Sequence, residues 1–357
     1  MEQPIEEMTR VDHRKLNRFV TAVFEKLGVP PGDAAIAAKA LVAADLRGVD
    51  THGVIRFSPH AWYVKWLTEG SMTARPKIRV ITENASTALV DGDCGMGMVI
   101  GCRAMEMAIE KARSSGVAMV GVRNSRHYGM SAYYAMMALP HDMIGIAMTN
   151  ASRLVVPTFG RAAKYGTNPM CFAVPADKQQ PFVLDMATTT AAAGKLELAV
   201  RLGKSIPGGW ALDENAAPTT DPRVAQKARR LLPLGGTRES GSHKGYGLAI
   251  LVEILCGVLT GTITALNANQ DPRGHFFAAV RVDAFRPAAE FKRDMDRLII
   301  DLRSTPPAEG QERVYVAGEI EFETAQERAE HGIPLHGSVL KGLREVSERL
   351  SVPYDLE

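Results

Sequence analysis

The chain has 357 residues, 46% of them hydrophobic and 23% charged, and its 42 basic and 40 acidic residues leave a formal net charge of +2. That length exceeds what one hydrophobic core usually organises, so two lobes are expected. The balance is that of a soluble globular protein, and no block of one charge sign offers a footprint for nucleic acid or an anionic membrane.

From residue 12 to about 46, apolar residues recur at helical spacing, first Val20, Val23 and Phe24, then Ala35, Ala38, Leu41 and Val42. Pro30-Pro31-Gly32 separates the two helices. A third amphipathic stretch over 58–68 carries Trp62, Val64 and Trp66 and ends before Gly70. Residues 78–80 and 87–90 read as strands, followed by a glycine-rich turn over 91–97 and a helix over 101–114. Residues 116–122 form a valine-rich buried strand, and Ser131 suits the N-cap of a helix beginning at Ala132. Strands at 144–148, 171–174 and 182–184 lead to an alanine-rich helix over 191–201. Prolines and glycines make 205–222 an extended loop. Residues 248–259 read as a buried helix and 276–282 as a strand. Beyond Pro287 the pattern is amphipathic helix again, over 290–302 and 338–350. The expected organisation is a helical lobe over 1–75, an α/β domain over 76–286, and a helical segment over 287–357 returning to the first lobe.

Residues 248–259 are too short, and with Glu253 too polar, to span a bilayer. The acidic stretch over 1–7 is unlike a signal or transit peptide. Cys94, Cys102, Cys171 and Cys256 show no CxxC spacing, which suits reduced thiols. A cytoplasmic protein is expected.

The chain offers chemistry at four places. In Asn124-Ser125-Arg126-His127-Tyr128-Gly129, His127 sits on a loop between a strand end and a helix start. Open α/β sheets place ligands on such loops, and imidazole exchanges its proton near neutral pH; the bland alternative is a packing histidine. Asp50-Thr51-His52-Gly53-Val54-Ile55-Arg56 puts an imidazole and a guanidinium four residues apart, on one face if the segment is helical, suited to a carboxylate or else to a polar interdomain contact. Asp185 at a strand end suits sugar hydroxyls or a helix cap. The 235–247 segment is not a Walker A loop, yet His243-Lys244 at a helix start could cradle phosphate or lie on a plain flexible loop. Gly95-Met96-Gly97 through Gly101 approximates a dinucleotide fingerprint, but its last glycine is one place late and the next strand ends without an acid for ribose. No HxH, HExxH or Cys-His cluster suggests a metal site.

Taken in order, several segments resemble the type-2 malate/L-lactate dehydrogenase family, which includes sulfolactate, ureidoglycolate and diketogulonate enzymes. They are the 50–56 and 122–129 stretches, Gly166-Thr167-Asn168-Pro169, Val183-Leu184-Asp185-Met186-Ala187-Thr188, Ile206-Pro207-Gly208-Gly209-Trp210-Ala211, Pro218-Thr219-Thr220-Asp221-Pro222, His243-Lys244-Gly245-Tyr246-Gly247-Leu248 and Gly274-His275-Phe276-Phe277. The resemblance implies an α/β fold with a non-Rossmann, mixed-sheet nucleotide-binding domain, a helical lobe formed by both chain termini, and a homodimer. It implies His127 as proton acceptor, His52 as a second catalytic histidine and Arg56 as the substrate-carboxylate ligand. It implies NAD or NADP held by Asn150, Asp185, Met186, Ala187, Thr188, His243, Lys244, Gly318 and Glu319. Two departures stand out: Ala317-Gly318-Glu319 replaces the usual Pro-Gly-Glu, and the connection from Gly261 to Gly274 is short. The implied activity is hydride transfer between NAD(P) and a small 2-hydroxy acid, malate or L-lactate first. The alternatives are reduction of a cyclic imino acid or another 2-keto acid on the same scaffold (sulfopyruvate, a ureidoglycolate or diketogulonate type), or a non-catalytic nucleotide-binding relative.

Overall fold

Asp12 opens the first long helix by accepting hydrogen bonds from the Arg14 and Lys15 amides, which satisfies two of the donors that a helix start leaves free. The computed structural model describes residues 8–266 and 271–356; the acidic 1–7 stretch and 267–270 of the short connection lie outside them. In chain order come β1 (Met8–Val11), α1 (His13–Lys26), α2 (Pro31–Leu46), α3 (Trp62–Thr68), β2 (Arg79–Glu83), β3 (Thr87–Gly95), α4 (Gly97–Ser115), β4 (Val117–Ser125), α5 (Ser131–Ala135) and β5 (Met143–Thr149). Then follow β6 (Met170–Val174), β7 (Phe182–Met186), α6 (Ala193–Arg201), β8 (Ala211–Leu212), β9 (Pro218–Thr219), α7 (Pro222–Ala228) and α8 (Ser242–Glu253). The chain closes with β10 (Arg273–Arg281), α9 (Ala288–Arg303), α10 (Glu319–His331), β11 (Ile333–His336) and α11 (Gly337–Leu350).

Seven strands form one mixed sheet in the order β2-β3-β4-β10-β5-β6-β7, with β3 and β4 parallel and the other neighbours antiparallel. The order is not that of a dinucleotide-binding Rossmann sheet. One face buries Ile100, Met105 and Ala108 of α4 against Val120, Val122 and Phe277. The other packs Val252 and Cys256 on Met148, Met170 and Phe276.

A second core belongs to both chain ends. Leu16, Phe19, Val20, Val23 and Phe24 of α1 pack with Leu41, Phe57 and Tyr63, and with Ile333, Leu335, Leu343 and Val346 from the far end. Each such side chain contributes roughly 1.5–3 kcal/mol of apolar burial. Strand β1 pairs antiparallel with β11 from Met8↔His336 to Val11↔Ile333, so backbone hydrogen bonds as well as side chains join the termini.

Four local expectations are revised. Residues 91–95 continue β3 rather than forming a turn, with Asp93 and Cys94 at φ 49° and 54°. Ser131 is inside α5 and its hydroxyl bonds Tyr128; the cap acceptor is instead the Asp185 carboxylate, 2.7 Å from the Ala132 amide. The 248–259 stretch is α8 continued by a π-helical turn, and Leu251, Ile254, Val258 and Leu259 are exposed along it. Helix α9 packs on the sheet domain, where Asp296 accepts from the amides of Asp177, Lys178 and Gln179, so α10, β11 and α11 make the return to the terminal lobe.

Candidate active site

The two lobes face one another across a cleft of about 1130 Å³. From the terminal lobe, His52 and Arg56 enter it on two successive 3₁₀ turns rather than one helix face, because Gly53 breaks the run between them. A Cβ at Gly53 would fall 1.8 Å from an Asp45 carboxylate oxygen, and that carboxylate accepts the Val54 amide at 2.9 Å. Burial raises the Asp45 pKa well above the usual range. The turn is thus held by a buried acid that only glycine lets close in.

From the sheet domain, β4 delivers His127 one loop beyond its end. Gly97, at the start of α4, makes this possible: a Cβ there would sit 2.2 Å from the Arg126 carbonyl oxygen and 2.7 Å from that of His127. The near-fingerprint glycine therefore seats the His127 loop on a helix start. Behind the loop, the fully buried His275 bonds Thr149 Oγ1 at 2.7 Å and Ser125 Oγ at 2.8 Å and stacks on Tyr128 at 4.6 Å. Strand ends β4, β5 and β10 are pinned together by that one ring.

The His52 and His127 rings stack with centroids 5.6 Å apart and planes 17° apart. Trp62 meets His127 edge-on at 4.7 Å, and the Arg56 guanidinium lies 4.5 Å over Trp62. Arg56 Nε donates to the Thr51 carbonyl at 3.0 Å, which fixes the fork. Tyr63 Oη lies 2.6 Å from His127 Nδ1, and the Gly129 amide donates to the same nitrogen at 3.3 Å. An amide can only donate, so Nδ1 is the acceptor and the neutral ring carries its proton on Nε2. Burial, then His52, Arg273, Arg56 and His275, push the His127 pKa well below its ordinary value. Burial and then Arg56 bring His52 down to about 4. Both rings are neutral near pH 7 in the free protein.

Asn150, Asp185, Met186, Ala187 and Gly318 line the same cleft as His52, Arg56 and His127. Four other expected residues do not line it. Thr188 is buried, its hydroxyl donating to the Thr167 and Asn168 carbonyls. Glu319 is buried in a salt bridge with Arg303 at 2.9 Å and accepts the Val316 amide. His243 and Lys244 are exposed at the start of α8. Asp185 opens onto the cleft yet is flanked by protein, and desolvation raises its pKa to about 6 against the Ala132 hydrogen bond and the nearby Arg47. Asn150 is already engaged, its amide group donating to the Thr262 carbonyl and its oxygen accepting the Gly274 amide.

Sequence reasoning missed Tyr63, Trp62, Arg47 and Arg273. Tyr63 and Trp62 lay within a stretch read only as amphipathic helix. Arg47 is 8% exposed, lines the cleft, and has a buried Nε with no hydrogen-bond partner among the described residues. A cleft of this volume with an unsatisfied buried guanidinium nitrogen fits a long polyanionic ligand such as a dinucleotide. At Gly318 the backbone takes φ 92°, and a Cβ would fall 2.7 Å from Val183, so the 317–319 turn packs directly on β7 beside the cleft. Among the described residues no three or more His, Cys, Asp or Glu side chains are grouped to hold a metal ion. Also among them, no helix is long and apolar enough to cross a membrane.

The sequence profile of the malate/L-lactate dehydrogenase family matches residues 11–344. A malate dehydrogenase of Pyrococcus horikoshii is 44% identical over 353 residues, 97% of each chain. An L-sulfolactate dehydrogenase of Methanocaldococcus jannaschii is 38% identical over 94% of this chain and 95% of that one. The crystal structure of malate dehydrogenase from Entamoeba histolytica superposes with a TM-score of 0.94 at 36% identity, covering 98% of this chain and all of the other.

Proposed function

The chain belongs to the malate/L-lactate dehydrogenase family, and from that premise we propose that it transfers hydride between NAD or NADP and a small 2-hydroxy or 2-keto acid, malate or L-lactate first. The observation that carries the site assignment is the convergence, in one cleft, of two stacked neutral imidazoles and a guanidinium fork held ready for a carboxylate. When bound, the nicotinamide ring supplies or accepts the hydride; Asn150, Asp185, Met186, Ala187, Gly318 and Arg47 would hold the dinucleotide along the cleft.

Arg56 binds the carboxylate through its two η nitrogens and so orients the reacting carbon toward His127. The arriving anion raises the His127 pKa, opposing the desolvation that lowers it in the free protein. Proton uptake at His127 therefore accompanies binding of a keto acid. Protonated, the ring donates from Nε2 to the carbonyl oxygen and gives up that proton as the oxygen becomes a hydroxyl. Tyr63 serves both states: its hydroxyl donates to Nδ1 of the neutral ring and accepts from Nδ1–H of the imidazolium. In the oxidising direction the useful form is the tautomer with the proton on Nδ1, held by Tyr63, and the lone pair on Nε2 facing the substrate hydroxyl.

The decisive test is a panel of 2-keto acids with NADH and with NADPH, run on the wild type and on His127→Asn. Positioned imidazole proton transfer is worth roughly 10²–10⁴ in rate, and a loss in that range is expected. If His127→Asn stays within a few-fold of wild type, the proton-transfer role passes to His52. The same panel decides between NAD and NADP.

The exposed Leu251, Ile254, Val258 and Leu259 on α8 and its π-helical turn favour a homodimer, with a second copy covering that face. Light scattering on the wild type and on Val258→Glu reads this directly.

A further inference from the structure

We propose that Thr51 is a positioning residue for substrate binding: its hydroxyl and its backbone carbonyl set His52 and Arg56 as two halves of one clamp, with His52 Nε2–H and the Arg56 η nitrogens on the same substrate carboxylate. The inference rests on the dehydrogenase reading above and gives His52 a binding role there, distinct from the proton transfer at His127.

Thr51 lies on the first of the two 3₁₀ turns and lines the cleft beside His52 and Arg56. Its Oγ1 is 2.9 Å from His52 Nδ1, and its carbonyl oxygen accepts Arg56 Nε at 3.0 Å. One residue therefore fixes the inner end of both side chains. Their outer ends are open. His52 Nε2 and the Arg56 η nitrogens make no hydrogen bond among the described residues, and none of these atoms is closed off from the cleft.

The tautomer of His52 follows from what its open nitrogen meets. Burial and then the Arg56 charge keep the ring neutral near pH 7, so it offers an anion a hydrogen bond rather than a charge. A carboxylate oxygen at Nε2 requires the proton there, which leaves a lone pair on Nδ1. The Thr51 hydroxyl turns to donate to that lone pair. Without it Nδ1 has no donor, and the other tautomer, which turns the Nε2 lone pair toward the anion, gains ground.

A second contact of Thr51 has to be told apart from this one. A Cβ at Gly194 would fall 2.8 Å from Thr51 Cγ2, so the start of α6 rests on the Thr51 methyl group. The turn itself is held by other residues, through Asp45 on the Val54 amide and Arg328 on Asp50. Removing the hydroxyl alone thus loosens His52 and leaves the turn, the methyl contact and the Arg56 bond to the backbone carbonyl in place.

Thr51→Val keeps the shape and deletes the hydroxyl; Thr51→Ser keeps the hydroxyl and deletes the methyl. His52→Phe keeps a ring stacked on His127 without the nitrogens. The test measures kcat and KM with pyruvate and with oxaloacetate, and NADH affinity by fluorescence, for these three and for Thr51→Val combined with His52→Phe. Thr51→Val is expected to raise KM about 10-fold on both acids, with kcat and NADH affinity within about three-fold. Thr51→Ser stays within about three-fold of the wild type throughout. His52→Phe raises KM at least as much as Thr51→Val, and the double variant is no worse than His52→Phe alone, because Thr51 acts through His52. An unchanged KM in Thr51→Val overturns the inference. So does a Thr51→Ser that matches Thr51→Val, which assigns the effect to the methyl on α6, or a double variant in which the two KM effects multiply. A fall in kcat at constant KM overturns it as well, placing His52 on the reacting oxygen. In each of these cases the wild type turns over and the dehydrogenase reading stands; a wild type that binds NADH and reduces neither acid overturns both.

Discussion

Replacing Tyr63 with Phe isolates one hydrogen bond in the proposed proton path. The ring is retained, so its packing against Phe24 and Trp66, at 6.4 and 6.0 Å between centroids, stays in place. What disappears is the 2.6 Å contact with His127 Nδ1, leaving only the 3.3 Å Gly129 amide. A buried group deprived of its partner costs about 1–3 kcal/mol. Here that cost falls mainly on the imidazolium, whose Nδ1–H loses its acceptor while the neutral ring keeps Gly129. With about 1.4 kcal/mol per tenfold, kcat/KM for keto-acid reduction should fall roughly 5- to 140-fold. The pKa that governs the reducing rate should move to lower pH, because the protonated ring is destabilised the more. Tyr63 does not line the cleft, so NADH affinity should hold. Steady-state rates from pH 5 to 9, an NADH titration, and nitrogen NMR of the His127 ring read these effects separately. A variant within two-fold of wild type with an unmoved pH profile would refute the claim that Tyr63 sets the protonation chemistry of His127.

Arg56→Gln should raise KM for any 2-keto acid by about 10² or more while NADH binding is kept, since a charge-assisted fork is lost; unchanged KM would move the carboxylate elsewhere in the cleft. His275 gives a stability prediction: burial lowers its pKa from 6.5 to about 3. Its folded pKa lies below its unfolded one, so its contribution is complete above pH 6.5 and is lost progressively as pH falls from 6.5 toward 3. Going from pH 7 to 5 should cost about 2 kcal/mol from this ring alone, and urea midpoints of His275→Gln should show a shallower slope over that interval than the wild type. Asp185 runs the other way. Its pKa is raised to about 6, so its charge disfavours the fold as pH climbs from about 4 to 6, and Asp185→Asn should gain on the wild type over that window, as melting temperatures would report.

Much of the architecture was legible because it is written locally. The helical spacing of Val20, Val23 and Phe24 marks α1, the valine run marks β4, and the His52–Arg56 and His127 segments carry the family resemblance intact. What escaped depends on distance along the chain. Tyr63 meets His127 across 64 residues, and Arg273 meets Ser152 across 121; no periodicity within α3 or β10 announces either contact. The exposed face of 248–259 escaped for a related reason: an apolar run has the same composition whether it is buried or presented outward. The glycines showed what they were not rather than what they do. The late spacing of Gly101 already argued against a phosphate loop at Gly95 and Gly97, but nothing local announced that the space freed at Gly97 admits the carbonyls of the His127 loop.

The pairing of β1 with β11 has a consequence for how the molecule comes into being. As the chain leaves the ribosome, the sheet that delivers His127 has all its strands once β10 has emerged, whereas the housing of His52, Arg56 and Tyr63 waits for Ile333–His336 to return to Met8–Val11. The nascent protein therefore passes through about 55 residues of synthesis, from Arg281 to His336 (about 3–11 s at ordinary elongation rates), with one wall of the cleft built, and a chain stopped before β11 presents the His127 loop without the lobe that sets His52 and Arg56 opposite it.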